Sequence, residues 1–202
     1  ISYVIEDDKN QTASAIATIA INVGLADNLP VITVPEDLCG PLIVNANALY
    51  TRVDYGSASA VDRFGNPVPV SVVDNQSLFP PGENVVYWQA TDTDGNTATA
   101  AQKVCVLPLI SLGKDTTITE DENVKLKVYL NGASPIYPVT VPFIVTGTSD
   151  DIDHNLLQGE ISITSGTQSS MTFEVYQDSA IEGDETIIIT LSDEINKGAK
   201  SV

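Results

Sequence analysis

Asp178, Glu182, Asp184 and Glu185 crowd into one short stretch that runs into Thr186-Ile187-Ile188-Ile189-Thr190-Leu191, a β-branched run with the character of a buried strand. Carboxylates this close repel one another in a partly dehydrated loop, and a hard divalent cation with oxygen ligands relieves that repulsion. Two more acidic clusters, Glu120-Asp121-Glu122 and Asp150-Asp151-Ile152-Asp153, also lie beside strand-like runs. Gathered at one end of a sheet, the three would supply the roughly six to eight oxygens that calcium takes. The competing reading is a set of solvated acidic loops. Asp92, Asp94 and Asn96 show the alternate-residue oxygen spacing of calcium loops, but no bidentate Glu completes it, and Asp-Gly-Asn is a good structural turn by itself.

Other chemistries find little support. His154 is the sole histidine, it sits in an acidic loop, and no Gly-x-Ser-x-Gly elbow accompanies it. One His and two distant Cys do not make a zinc site. Carboxylate pairs of the glycosidase kind would need aromatic platforms that are scarce here, so no catalytic residue is assigned and an enzyme is not expected. Trp88, beside Tyr87, could stack on a sugar, although a core position suits it better. Only 9 Lys and Arg stand in a chain of net charge −18, which leaves nucleic acid and anionic lipid as poor partners.

These residues must be positioned by strands. Val124, Leu126, Val128 and Leu130 alternate with polar or amphipathic neighbours, as do Met171, Phe173 and Val175, and no segment carries a convincing helical period. The expected class is all-β. A hairpin-like motif recurs, Tyr3 to Ala15 echoing Tyr87 to Ala100, with a weaker echo from Ala60 to Asn66, which indicates tandem modules. With 202 residues, 43% of them hydrophobic, the chain can fill two cores. The expected division is 1–27, the last hairpin of an incomplete module with a linker; 28–108, a sandwich; and 109–202, a second sandwich whose last strand would lie beyond Val202. More than half of the net negative charge falls within 109–202.

Cys39 and Cys105 fall near the two ends of the 28–108 module, where first and last strands are often neighbours. A disulfide is favoured over two buried free thiols, and it would imply export. No stretch approaches the ~18 uninterrupted apolar residues that would cross a membrane, so membrane insertion is not expected. The opening Ile1-Ser2-Tyr3-Val4-Ile5 is strand-like, without initiator Met or leader, and suggests a piece of something longer.

Thr117-Ile118-Thr119-Glu120, the strand 124–130, Gly147 to Asp153, Gly159 to Gly166 and Asp178 to Leu191 resemble a Calx-beta domain in order and spacing over about ninety residues. That resemblance implies calcium held by Glu120, Asp153, Asp178 and Glu182, with Asp151, Asp184 and Glu185 as secondary candidates beside Asp92 and Asp94 of the other module. Gln177 stands where calcium-binding members often carry an acid. The 28–108 module resembles a hyalin repeat through Pro30 to Asp37, Ala60-Val61-Asp62 with Gly65-Asn66, Phe79 to Tyr87, and Ala90 to Asn96, with Val34 where the family often has Cys. Residues 1–27 are similar to the closing hairpin of bacterial Ig-like or cadherin-like repeats.

Together these resemblances imply tandem Ig-like antiparallel β-sandwiches in a secreted or cell-surface protein, acting as a calcium-stiffened spacer or adhesion segment. Its partners would be neighbouring modules of the same or an identical chain, with a glycan or surface protein as a further ligand. Two alternatives stand beside this reading. One is an accessory glycan-binding module of an exported enzyme or adhesin; the other is a filament subunit that assembles by strand exchange.

Overall fold

The computed structural model describes the backbone of residues 2–6 and 12–16 and the full detail of residues 28–177 and 183–198. Nearly all regular structure is β, as the alternating pattern requires. Strands β1 (Ser2–Glu6) and β2 (Thr12–Ile16) form an antiparallel hairpin with Tyr3 opposite Ala15. Next come β3 (Val31–Thr33), β4 (Val44–Asn45), β5 (Thr51–Arg52), β6 (Ser59–Val61), β7 (Pro67–Val68), β8 (Val70–Val72), β9 (Leu78–Phe79), β10 (Gly82–Thr91) and β11 (Thr97–Leu107). The chain closes with β12 (Ile110–Leu112), β13 (Asn123–Leu130), β14 (Val139–Gly147), β15 (Gly159–Ile163), β16 (Gln168–Glu174) and β17 (Ile187–Leu191).

The first core lies between the sheet β4-β11-β10-β8 and the smaller sheets β3-β6-β7 and β5-β9. Long strands β10 and β11 carry it: Val86, Trp88 and Ala90 alternate inward on one, Gln102, Val104 and Val106 on the other. Phe79, fully buried, adds about 2 to 3 kcal/mol of apolar burial and meets Tyr55 edge-on at 5.9 Å. Trp88 is 5% exposed, a core residue; Tyr87 beside it points outward at 52%.

The second core lies between β12-β13-β16 and β15-β14-β17. Val128, Leu130, Val141, Phe143, Ile161, Ile163, Phe173 and Leu191 fill it, and the strands at 124–130 and 171–173 show the alternation that the sequence led us to expect.

Cys39 and Cys105 are joined by a disulfide with Cα atoms 5.0 Å apart. Beside it the sheet departs from the expected all-antiparallel pattern. Segment 38–45 runs in the same direction as β11, Leu38 N–H donating to Lys103 O and Cys105 N–H to Leu38 O, before β4 pairs parallel with β11 past the 3-10 turn Gly40–Leu42. The junction between the two units is itself packed: Leu109 packs on the first core, and its neighbour Ile110 is buried in the second. Among the described residues no helix is long and apolar enough to cross a membrane.

Candidate functional site

The acidic segments of the second unit come together through their backbones. Val175 N–H donates to Glu122 O at 3.0 Å, Tyr176 N–H to Asp153 O at 2.7 Å, and Asn155 N–H to Glu174 O at 3.2 Å. On the other side Thr148 N–H donates to Thr186 O at 3.0 Å, and Thr186 N–H returns to Thr148 Oγ1 at 2.9 Å. Loops 119–122, 148–155, 175–177 and 183–186 therefore share one end of the unit. The end is fixed locally by Gly147, whose φ of +141° excludes ordinary side chains and where a Cβ would fall 1.9 Å from Thr186 O.

Within that end the carboxylates divide their oxygens between loop and solvent. Asp153 Oδ2 accepts from Asp150 N–H at 2.7 Å, Asp150 Oδ1 from Ile152 N–H at 2.8 Å, and Glu122 Oε2 from Thr119 N–H at 3.2 Å. Asp153 is half-buried; Glu120, Asp151, Asp184 and Glu185 are exposed. Asp178 and Glu182, the other two residues of the expected calcium set, lie outside the described residues. Among the described residues no group of three or more His, Cys, Asp or Glu is placed to hold a metal ion. A shallow cleft runs beside the acids, lined by Val145, Ser149, Asp150, His154 and Leu157.

His154 has a packed, hydrogen-bonded place in the loop. It is buried, its ring meets Phe173 edge-on at 6.3 Å, and its Nδ1 accepts Leu156 N–H at 3.1 Å, an arrangement that closes the loop by using the imidazole lone pair.

In the first unit, Asp92 and Asp94 have structural partners. Asp92 Oδ1 accepts the N–H groups of Asp94 and Asn96 at 3.0 and 2.8 Å, while its Oδ2 accepts Asn96 Nδ2 at 2.9 Å. The same staple recurs at Asp62, which accepts the N–H groups of Phe64 and Asn66 at 2.8 Å each and Asn66 Nδ2 at 2.9 Å. Gly65 and Gly95, with φ of +85° and +86°, take the left-handed position each turn needs. The side-chain amide of Asn66 holds the Asp62 carboxyl below its ordinary range, aided by backbone N–H groups; Asn96 does the same for Asp92.

Arg63 spans the two turns. Its guanidinium stands 3.9 Å from Asp94, donates to Asn28 Oδ1 at 2.8 Å and lies over the Phe64 ring at 4.5 Å. Sequence reasoning passed over Arg63. The signal was available in the shared pattern Asp-x-x-Gly-Asn at 62–66 and 92–96, which sets two carboxylate turns at corresponding places in neighbouring hairpins.

Trp88 Nε1 donates to Gln102 Oε1 at 3.1 Å, and Gln102 Nε2 donates to Glu36 O and Tyr55 O at 2.9 and 3.0 Å. The indole is thus a buried tie between sheet and loops, and it offers no face to a sugar. No protein-family model matches this chain, and comparison with curated proteins and with solved structures returns no match.

Proposed function

We propose that this chain is a non-catalytic spacer segment of a larger exported or cell-surface protein, with a calcium-responsive acidic end on its second unit. The observation that carries the reading is the meeting of loops 119–122, 148–155, 175–177 and 183–186 at one end of a β unit. Hard carboxylate oxygens suit calcium. The described acids do not form a metal group by themselves, so the proposed site needs Asp178 and Glu182 to complete Glu120 and Asp153. An ion held there would draw four loops together and stiffen that end against whatever module it meets. The disulfide supports an oxidising compartment. The resemblance of 28–108 to hyalin repeats and of 109–202 to Calx-beta domains supports the same use.

The test is calorimetric titration of the chain with calcium, followed by melting in calcium and in chelator. Calcium at a hundred times its dissociation constant stabilises by about 2.7 kcal/mol. Glu182→Gln and Asp153→Asn should each weaken binding at least tenfold, on the order of 1.4 kcal/mol. Absence of heat and of any melting shift, or full-strength binding by Glu182→Gln, would refute the assignment.

A further inference from the structure

A short linker between two units of like net charge suggests a junction that flexes until a cation binds. The seam between the two units contradicts that picture on chemical grounds. Asn131, immediately after β13, accepts Leu109 N–H on its Oδ1 at 2.7 Å and donates from Nδ2 to Ala48 O at 3.0 Å. Its backbone N–H donates to Leu109 O at 3.0 Å. Asn196, in the loop after β17, points its Nδ2 at three carbonyls, those of Ala46, Leu107 and Pro108, each at 3.2 Å. Its own carbonyl accepts Ile110 N–H at 2.9 Å.

Packing follows the same seam. Consecutive residues Leu109 and Ile110 enter opposite cores, which leaves no free tether between the units. Gly132 lies flat on Pro81, close enough that a Cβ would fall 2.9 Å from Pro81 Cβ, and Ala133 covers Gly82. The second unit therefore touches the first at 46–48, at 81–82 and at 107–108. One covalent link with one contact would leave a hinge; contacts at separated places oppose bending and twisting together. Among the described residues, the hydrogen bonds across the seam join amides to carbonyls, so neither salt nor a cation changes their strength appreciably.

We propose that residues 46–48, 81–82, 107–110, 131–133 and 196 form a preformed, ion-independent elbow that holds the two units as one body. The proposed calcium end then lies apart from the seam, its loop 119–122 being at the far end of β13, roughly 26 Å away along the eight residues of that strand, while Asp193 in the seam loop is paired with Lys197. This inference stands whether or not calcium binds there.

The test is backbone 15N relaxation on the whole chain in chelator, with hydrogen exchange at Leu109. The parent should show one rotational correlation time for residues of both units, unchanged by calcium. Asn131→Ala combined with Asn196→Ala should give two shorter, unequal times while each unit keeps its own amide spectrum, and Leu109 exchange should quicken about fivefold to tenfold. If that variant loses its fold, Gly132→Ala provides a second route, since its methyl must displace the Pro81 ring. Two independent correlation times for the parent in chelator, merging only with calcium, would overturn the elbow. So would a folded double variant that still tumbles as one body. Failure of calcium to bind would strike only the functional proposal above.

Discussion

Opening the Cys39–Cys105 bridge gives the sharpest stability test because one probe reads one unit. The bridge closes a loop with a sequence separation of 66, and the chain-entropy model assigns such a cross-link about 4 kcal/mol at 25 °C. A domain of this size carries roughly 4 to 12 kcal/mol in total, so the reduced unit keeps a fraction of its stability or none. At about 4 to 8 °C per kcal/mol, its melting point should fall by roughly 15 to 30 °C. Trp88, the chain's single tryptophan, lies in the core of that same unit, so its fluorescence in a urea titration follows the disulfide-bearing unit and not the other. Reduction should lower the Trp88 midpoint and steepen its slope, because the freed denatured chain exposes more surface. Cys39→Ala with Cys105→Ala should reproduce the shift without reductant. An unchanged Trp88 midpoint in protein shown by thiol counting to be fully reduced would refute the reasoning and remove the physical support for export.

Gln102→Leu, which leaves Trp88 Nε1 and the carbonyls of Glu36 and Tyr55 without partners, should cost about 2 to 4 kcal/mol in the same titration. Gln102→Glu should be worse at neutral pH, since a carboxylate would face two carbonyls; burial raises its folded pKa, so stability should recover as pH falls and the acid is protonated. Acid sensitivity should also come from the twin turns: Asp62 and Asp92 are held below the ordinary aspartate value of 3.8, so their contribution is present above that value and is lost as pH falls through the depressed folded values. Asp62→Asn with Asp92→Asn should flatten that part of an acid titration monitored by Trp88; an identical acid midpoint would exclude the staple as a source.

Local chemistry was readable wherever a pattern repeats at short range. Alternation at 124–130 gave β13, and the Asp-x-x-Gly-Asn recurrence gave two turns built alike. Cys39 and Cys105 were suggested as partners by their places in a single module. What escaped was polar and distant. Asn131 and Asn196 read as ordinary loop residues, yet their partners Ala48 and Ala46 lie 83 and 150 residues away, and their role exists only once two units abut. Gln102 stood in phase with Val104 and Val106, a polar residue at an inward position, and that irregularity was the one trace of the buried tie to Trp88. The parallel run of 38–45 beside β11 left no trace, because strand direction is set by neighbours and not by alternation.

The position of the sulfur bridge also decides how the chain would carry tension. A pull entering near residue 28 and leaving near residue 108 reaches Cys39, crosses the bridge and continues from Cys105, bypassing every sheet hydrogen bond of the loop it encloses. Roughly 230 Å of contour is thereby withheld from extension even if the sheets come apart. The 109–198 unit holds no cysteine and has no such bypass, so its strands bear the load directly. In series the two form a link of bounded extension, lengthening only through the residues outside the bridged loop, joined to a yielding one, and the yielding link is the unit that carries the acidic loops.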